Sequence, residues 1–155
     1  MARVLGLRAE ARQFFWAVLE GTQDAPLVAA QDKAIAPAGA DEASALAWFR
    51  GRARHLFEAY KPDAVMLRTP EFSARAGNTD GARRRLRVEG VLLEVSHAAG
   101  LKVSAGALVT ISSNLGTRSA KKYLEAGEVR GLDISKQATP AKEAILVAIS
   151  GLPKA

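Results

Sequence analysis

The sequence predicts an α/β fold in which five strands form one sheet with helices flanking it. Three observations lead there. Two short runs rich in Val, Leu, Phe and Trp, residues 3 to 8 and 13 to 20, are separated only by AEAR, which suits two strands paired in one antiparallel hairpin. An amphipathic helix between Asp41 and Pro62 leads directly into the apolar run DAVMLRT, residues 63 to 69, the signature of a buried strand reached by a crossover. A second helix leads in the same way into residues 101 to 105.

Taken in order, the first strand ends on Arg8 and the second begins at Gln13. Residues 27 to 36, LVAAQDKAIA, read as a third strand or as helix, and Pro37 and Gly39 end the run in either case. Asp41 suits the N-cap of the following helix, whose apolar positions Leu46, Phe49, Ala53, Leu56, Phe57 and Tyr60 recur every three or four residues and stop before Pro62. The apolar centre of the fourth strand ends at Arg68. A loop from Pro70 to about Thr79, with Gly77 and Asn78, precedes a second helix that runs through Leu86, Val91, Leu92 and Val95 toward Gly100. After the fifth strand come a helix near 107 to 115, a basic stretch from Arg118 to Lys122, a polar connection through Gly131, and an apolar helix from about Pro140 to Ile149.

With 155 residues, 48% hydrophobic and 25% charged, the chain has the size and apolar content of a single globular domain spanning 1–155. No run approaches the roughly 18 apolar residues of a membrane helix, and the N-terminus lacks the layout of a secretory signal. A cytoplasmic protein without a membrane partner is expected. There is no cysteine, which excludes disulfides, thiolate zinc sites and thiol catalysis and leaves carboxylates or histidines as metal ligands. A net charge of +6 and a pI near 10.0 favour polyanionic partners, because a positive field speeds encounter with phosphate-rich surfaces.

Five motifs carry a resemblance to a known family: RVLGL followed by WAVLE at the start, YKPDAVMLR at 60 to 68, RVEGVLLEVSHAAGLKV at 87 to 103, GTRSAKK at 116 to 122 and TPAKEAILVAISGL at 139 to 152. Together they cover most of the chain and resemble the RuvC-like Holliday junction resolvases of the ribonuclease H-like superfamily. The chain is also similar to a smaller, uncharacterised group of RuvC-like domains with a basic residue after the fourth strand. The resemblance implies a ribonuclease H-like fold with a five-stranded mixed sheet in the order 3-2-1-4-5. Its first three strands would form an antiparallel meander, while the first, fourth and fifth run parallel, making Arg8 and Arg68 neighbours. In the family these two strands end on an aspartate and a glutamate that hold catalytic metal, and the last helix adds two acids three residues apart. Here those positions carry Arg8, Arg68, Pro140 and Glu143. Arg118 and Lys121 fall on the basic positions of the family's segment near bound nucleic acid.

Two-metal phosphodiester cleavage needs several carboxylates converging on magnesium or manganese, which one glutamate does not supply. Two guanidiniums a few ångströms apart would also repel a divalent ion, by several kcal/mol at an effective dielectric of about 20. Arg8 and Arg68 themselves need compensation. Glu10, Glu71 or Glu143 can provide it in internal ion pairs that hold the strand ends together, or a phosphate can provide it from outside. Catalysis relocated to Glu71 or Asp80, in the loop after the fourth strand, is a further alternative.

Arg83, Arg84, Arg85 and Arg87 lie near the N-terminus of the second helix, where the macrodipole favours negative groups. That arrangement makes sense if the cluster meets phosphates, with Arg75, Arg118 and Lys121 extending the patch. The other reading is a solvated face on which Asp80 and Glu89 form surface pairs worth under about 1 kcal/mol each. Arg50, Arg52, Arg54 and His55 read as the outer face of the first helix, His97 as a packing histidine, and Phe14, Phe15, Trp16 and Trp48 as core or dimer-contact residues.

Three functions are therefore expected candidates. The first is a catalytically degenerate RuvC-like domain without cofactor that binds structured or branched DNA or RNA through Arg8, Arg68, Arg75, Arg83, Arg84, Arg87, Arg118 and Lys121. The second is a metal-dependent endonuclease or junction resolvase using displaced carboxylates, with Glu71 and Glu143 as catalytic candidates and Mg or Mn as the cofactor. The third is a non-enzymatic interaction protein, a homodimer whose basic face is incidental.

Overall fold

The computed structural model describes residues 1–71 and 79–155. Strands β1 (Arg3–Ala9), β2 (Gln13–Gly21), β3 (Pro26–Ile35), β4 (Ala64–Arg68) and β5 (Lys102–Gly106) form one sheet in the order β3-β2-β1-β4-β5. The first three are antiparallel neighbours, and β4 lies parallel to both β1 and β5. This is the mixed sheet anticipated from the motifs. Residues 26 to 35 are strand rather than helix, paired with β2 along their length.

Helix α1 (Glu42–Tyr60) joins β3 to β4, and α2 (Asp80–Ala98) joins β4 to β5. Asp41 caps α1 by accepting a hydrogen bond from the Ser44 amide at 2.8 Å, which satisfies one of the free donors of the first turn. The chain leaves α1 through Lys61, whose φ of 48° is left-handed, and Pro62 bars any continuation. Thr79 caps α2 by accepting from the Ala82 amide at 3.1 Å. The expected loop lies largely outside the described residues, including Gly77 and Asn78.

The sheet divides the core by the two-residue period of its strands. Leu5, Leu7, Val65 and Leu67 face α1 and α2, packing with Phe49, Leu56, Val88, Leu92 and Val95. Val4, Ala17, Leu19 and Met66 face the other side, where α5 (Thr139–Ser150) supplies Ile145, Leu146 and Ile149. Phe14 meets Phe49 edge to face at 5.8 Å, and Trp16 packs against Tyr60 at 5.5 Å. Phe14 and Trp16 are thus core residues. Phe15 and Trp48 are partly buried against the core.

Three sequence expectations are corrected. Leu86, placed on the apolar run of α2, is 52% exposed, because the buried stripe runs through Val88, Leu92 and Val95 and turns Leu86 outward. His97 is exposed and not a packing histidine. The stretch after α3 (Leu108–Leu115) is more ordered than a polar connection: it forms α4 (Lys121–Ala126) and a hairpin of β6 (Glu128–Val129) and β7 (Leu132–Asp133). Strands of two residues are too short to show alternation. Arg130 turns the hairpin at a φ of 48° and is fixed by donating to the Leu115 carbonyl at 2.6 Å.

Candidate functional site

Arg8 lies two and four residues after Gly6 and Val4, and Arg68 two and four after Met66 and Ala64, so both arginines point to the α5 side of the sheet. They are register partners at the ends of β1 and β4. Gly6 lets α5 approach closely: a Cβ there would stand 2.1 Å from the Ala144 carbonyl oxygen and 2.7 Å from the Ala148 Cβ. The neighbour of Ala144 is Glu143, which this contact brings over the strand ends.

Glu143 divides its carboxylate between the two arginines. Its Oε2 accepts from Arg8 Nε at 2.6 Å, and its Oε1 accepts from Arg68 Nη2 at 3.1 Å. The Arg68 and Glu143 side chains are only 6% and 8% exposed. Each guanidinium also bonds the chain beside it, Arg8 donating to the Ala9 carbonyl at 2.7 Å and Arg68 to that of Thr69. Two further acids complete the set, Glu10 at 3.7 Å from Arg8 and Glu71 at 3.2 Å from Arg68. Glu71 in turn accepts from the Leu108 amide at 2.7 Å, at the start of α3. All three glutamates that could compensate the arginines therefore do so. Arg68 Nε remains buried without a hydrogen-bond partner.

A second pair stands beside this network. Arg85 Nε meets Glu89 Oε2 at 3.0 Å, one turn apart on α2, with the Glu89 side chain nearly buried. Burial raises the Glu89 pKa against the opposing pull of Arg85, Arg8 and Arg68, and burial together with the charge of Arg8 lowers that of Arg85. Glu89 is thus not the surface partner expected of it. Its signal in the sequence is phase: Arg85, Glu89, Leu92 and Ser96 share the inward stripe of α2 with Val88 and Val95. Counting the ion pairs, three guanidiniums (Arg8, Arg68, Arg85) face four carboxylates (Glu10, Glu71, Glu89, Glu143), so the cluster carries no surplus positive charge. Among the described residues no three His, Cys, Asp or Glu side chains come together as a metal site requires.

The other anticipated site residues lie elsewhere. Arg68 is sealed inside, so the expectation of a direct phosphate contact gives way at that position to the internal network. Arg84 pairs with Asp80 at 3.1 Å, Arg87 with Glu42 at 2.9 Å and Lys121 with Glu125 at 3.9 Å, all across exposed or half-exposed side chains. Arg83 and Arg118 are exposed. Arg75 lies outside the described residues. Arg8, Arg85 and Glu89 line one side of a cavity of about 1100 Å³ that opens between the β1–β2 turn, the end of β3 and the first turns of α2. No helix is long and apolar enough to cross a membrane.

Sheet order, crossovers and the position of α5 define an α/β protein of ribonuclease H-like fold. Among solved structures, the chain is similar to RuvC of Thermus thermophilus, with a TM-score of 0.78 at 16% identity over 96% of this chain and 92% of that one. The same RuvC in complex with Holliday junction substrate superposes with a TM-score of 0.76 at 15% identity, over 97% and 92% of the two chains. The yeast mitochondrial Holliday junction resolvase follows at 0.65 and 12% identity, over 96% and 78%. The fold is therefore that of the RuvC resolvases. No protein-family model matches the sequence, and no curated protein does.

Proposed function

We propose that this protein is a catalytically degenerate RuvC-like domain that binds structured or branched nucleic acid through phosphate contacts without cleaving it. The observation that carries this reading is the division of Glu143 between Arg8 and Arg68 at the strand ends of a RuvC-type sheet. A hard divalent cation needs several free oxygen ligands and offsetting negative charge. The donors here are two guanidiniums and a carboxylate engaged on both oxygens. They do not fit such an ion.

Binding is supported by the net charge of +6 and by the likeness to a fold seen in complex with a Holliday junction substrate. Arg8 and Arg68 act indirectly, holding the ends of β1 and β4. The phosphate contacts fall to Arg83, Arg84, Arg87, Arg118 and Lys121. The exposed pairs that Arg84, Arg87 and Lys121 make with Asp80, Glu42 and Glu125 are individually weak, so a phosphate exchanges for the carboxylate at little cost.

The test is fluorescence anisotropy with a four-way DNA junction across a range of salt. Affinity falls steeply with salt as counterions are released, and Arg118→Ala and Lys121→Ala each flatten the slope by about one. No cutting of junction, flap or single strand accompanies addition of magnesium or manganese. An affinity indifferent to ionic strength, or cleavage abolished by Glu143→Gln, overturns the proposal.

A further inference from the structure

A second pocket, of about 370 Å³, lies at the opposite end of the sheet from the arginine network, beside Ala64 and Lys102, where β4 and β5 begin. Lys102 and Ser104 are register partners of Ala64 and Met66 and share the α5 side of the sheet with them, yet both stay exposed on this edge strand. Asn114 of α3 and the chain after α5, with Lys154, complete the walls. The lining holds two lysines and no carboxylate, and neither lysine has an ion-pair partner among the described residues. The lysines are not needed to cap α5 either. The carbonyls of its last four residues, 147–150, already accept hydrogen bonds from within the chain.

Gln23, between β2 and β3, lines the pocket although it is only 5% exposed. Its backbone amide donates to the Pro153 carbonyl at 2.9 Å and its side-chain Nε2 to that of Ser150 at 3.2 Å, which fixes the side chain in place. Its Oε1 accepts no hydrogen bond among the described residues, and a nearly buried acceptor is costly to leave unmatched. We infer that this pocket binds a small phosphate monoester with a hydroxyl-bearing carbon body, the phosphate on Lys102 and Lys154 and a hydroxyl donating to Gln23 Oε1. A phosphate monoester carries about −1.5 to −2 charges at neutral pH, which balances two ammonium groups acting on it as point charges. The volume lies at the low end of small-ligand sites, about 300–1,000 Å³, and suits one compact metabolite. The inference is independent of the nucleic-acid reading.

The test is calorimetric titration of the full chain, at constant ionic strength, with glycerol 3-phosphate, inorganic phosphate and glycerol. Glycerol 3-phosphate binds, inorganic phosphate, which lacks the carbon-borne hydroxyl, binds about tenfold more weakly, and glycerol gives no heat. Lys102→Ala and Lys154→Ala each weaken glycerol 3-phosphate about tenfold and leave affinity for a four-way junction unchanged. Both lysines are exposed, and circular dichroism verifies the fold of each variant. The inference is overturned if glycerol 3-phosphate does not bind, if inorganic phosphate binds equally well, or if the lysine variants bind like the parent. Lysine variants that lose junction affinity, in a protein that ignores glycerol 3-phosphate, also overturn it and assign these lysines to nucleic acid.

Discussion

Arg8 and Arg68 end adjacent parallel strands as register partners, and both point to the same face of the sheet. Two cations so placed repel each other unless an anion lies between them, and Glu143 is that anion. Glu143 alone bridges both arginines, while Glu10 and Glu71 each reach only one of them.

Removing that carboxylate should be costly. Glu143→Gln leaves two sheltered guanidiniums undercompensated and is expected to lower stability by about 3–5 kcal/mol, read from urea denaturation. The triple replacement Arg8→Leu, Arg68→Met, Glu143→Leu removes all three charges at once and should be near neutral or stabilising. A Gln variant as stable as the parent would show that the network holds nothing.

Gly6→Ala tests how α5 is seated. The added methyl would meet backbone at Ala144 and the side chain of Ala148, neither of which can rotate away. A loss of about 1–3 kcal/mol is expected from overpacking, with the same fold by circular dichroism. An unchanged midpoint would mean that the helix can retreat from the strand freely.

Rebuilding the acids that the family resemblance assigns, with Arg8→Asp, Arg68→Glu and Pro140→Asp beside the native Glu143, replaces two cations by carboxylates. Without metal this variant should melt below the parent, since like charges converge. Manganese should raise its melting temperature and leave that of the parent unchanged. A parent that responds to manganese as strongly as the variant would contradict the picture of a cation-filled centre.

Glu89 gives the stability a pH signature. Burial raises its pKa above the ordinary 4.5, so between that value and the raised one the folded chain binds more protons than the unfolded chain, and stability falls as pH rises through the window. Below pH 4.5 both states are protonated there and the difference is flat. In Glu89→Gln the downward slope should vanish, as measured by urea unfolding at stepped pH. An identical slope in both proteins would assign it to another group.

Much of this arrangement was legible in the chain. The pattern that carries α1 from Asp41 to Tyr60 is a property of local spacing, whereas the neighbouring of Arg8 and Arg68 was implied by the family resemblance, and their shared face and register come from the structure. What spacing could not fix was depth. Arg85 and Glu89 look like the neighbouring charges of α2, and only the packing of that helix on the sheet separates the inward pair from Arg84 and Arg87. The hairpin around Arg130 escaped because its order comes from distant carbonyls, such as that of Leu115, which no local pattern encodes.

The double engagement of Glu143 also has a historical consequence. A charge-keeping change such as Glu143→Asp shortens the reach to the two arginines, and any change that removes one of the three charges leaves its partners unmatched, so the three positions are coupled. Charge-removing replacements at these three sites should accordingly be found together rather than singly.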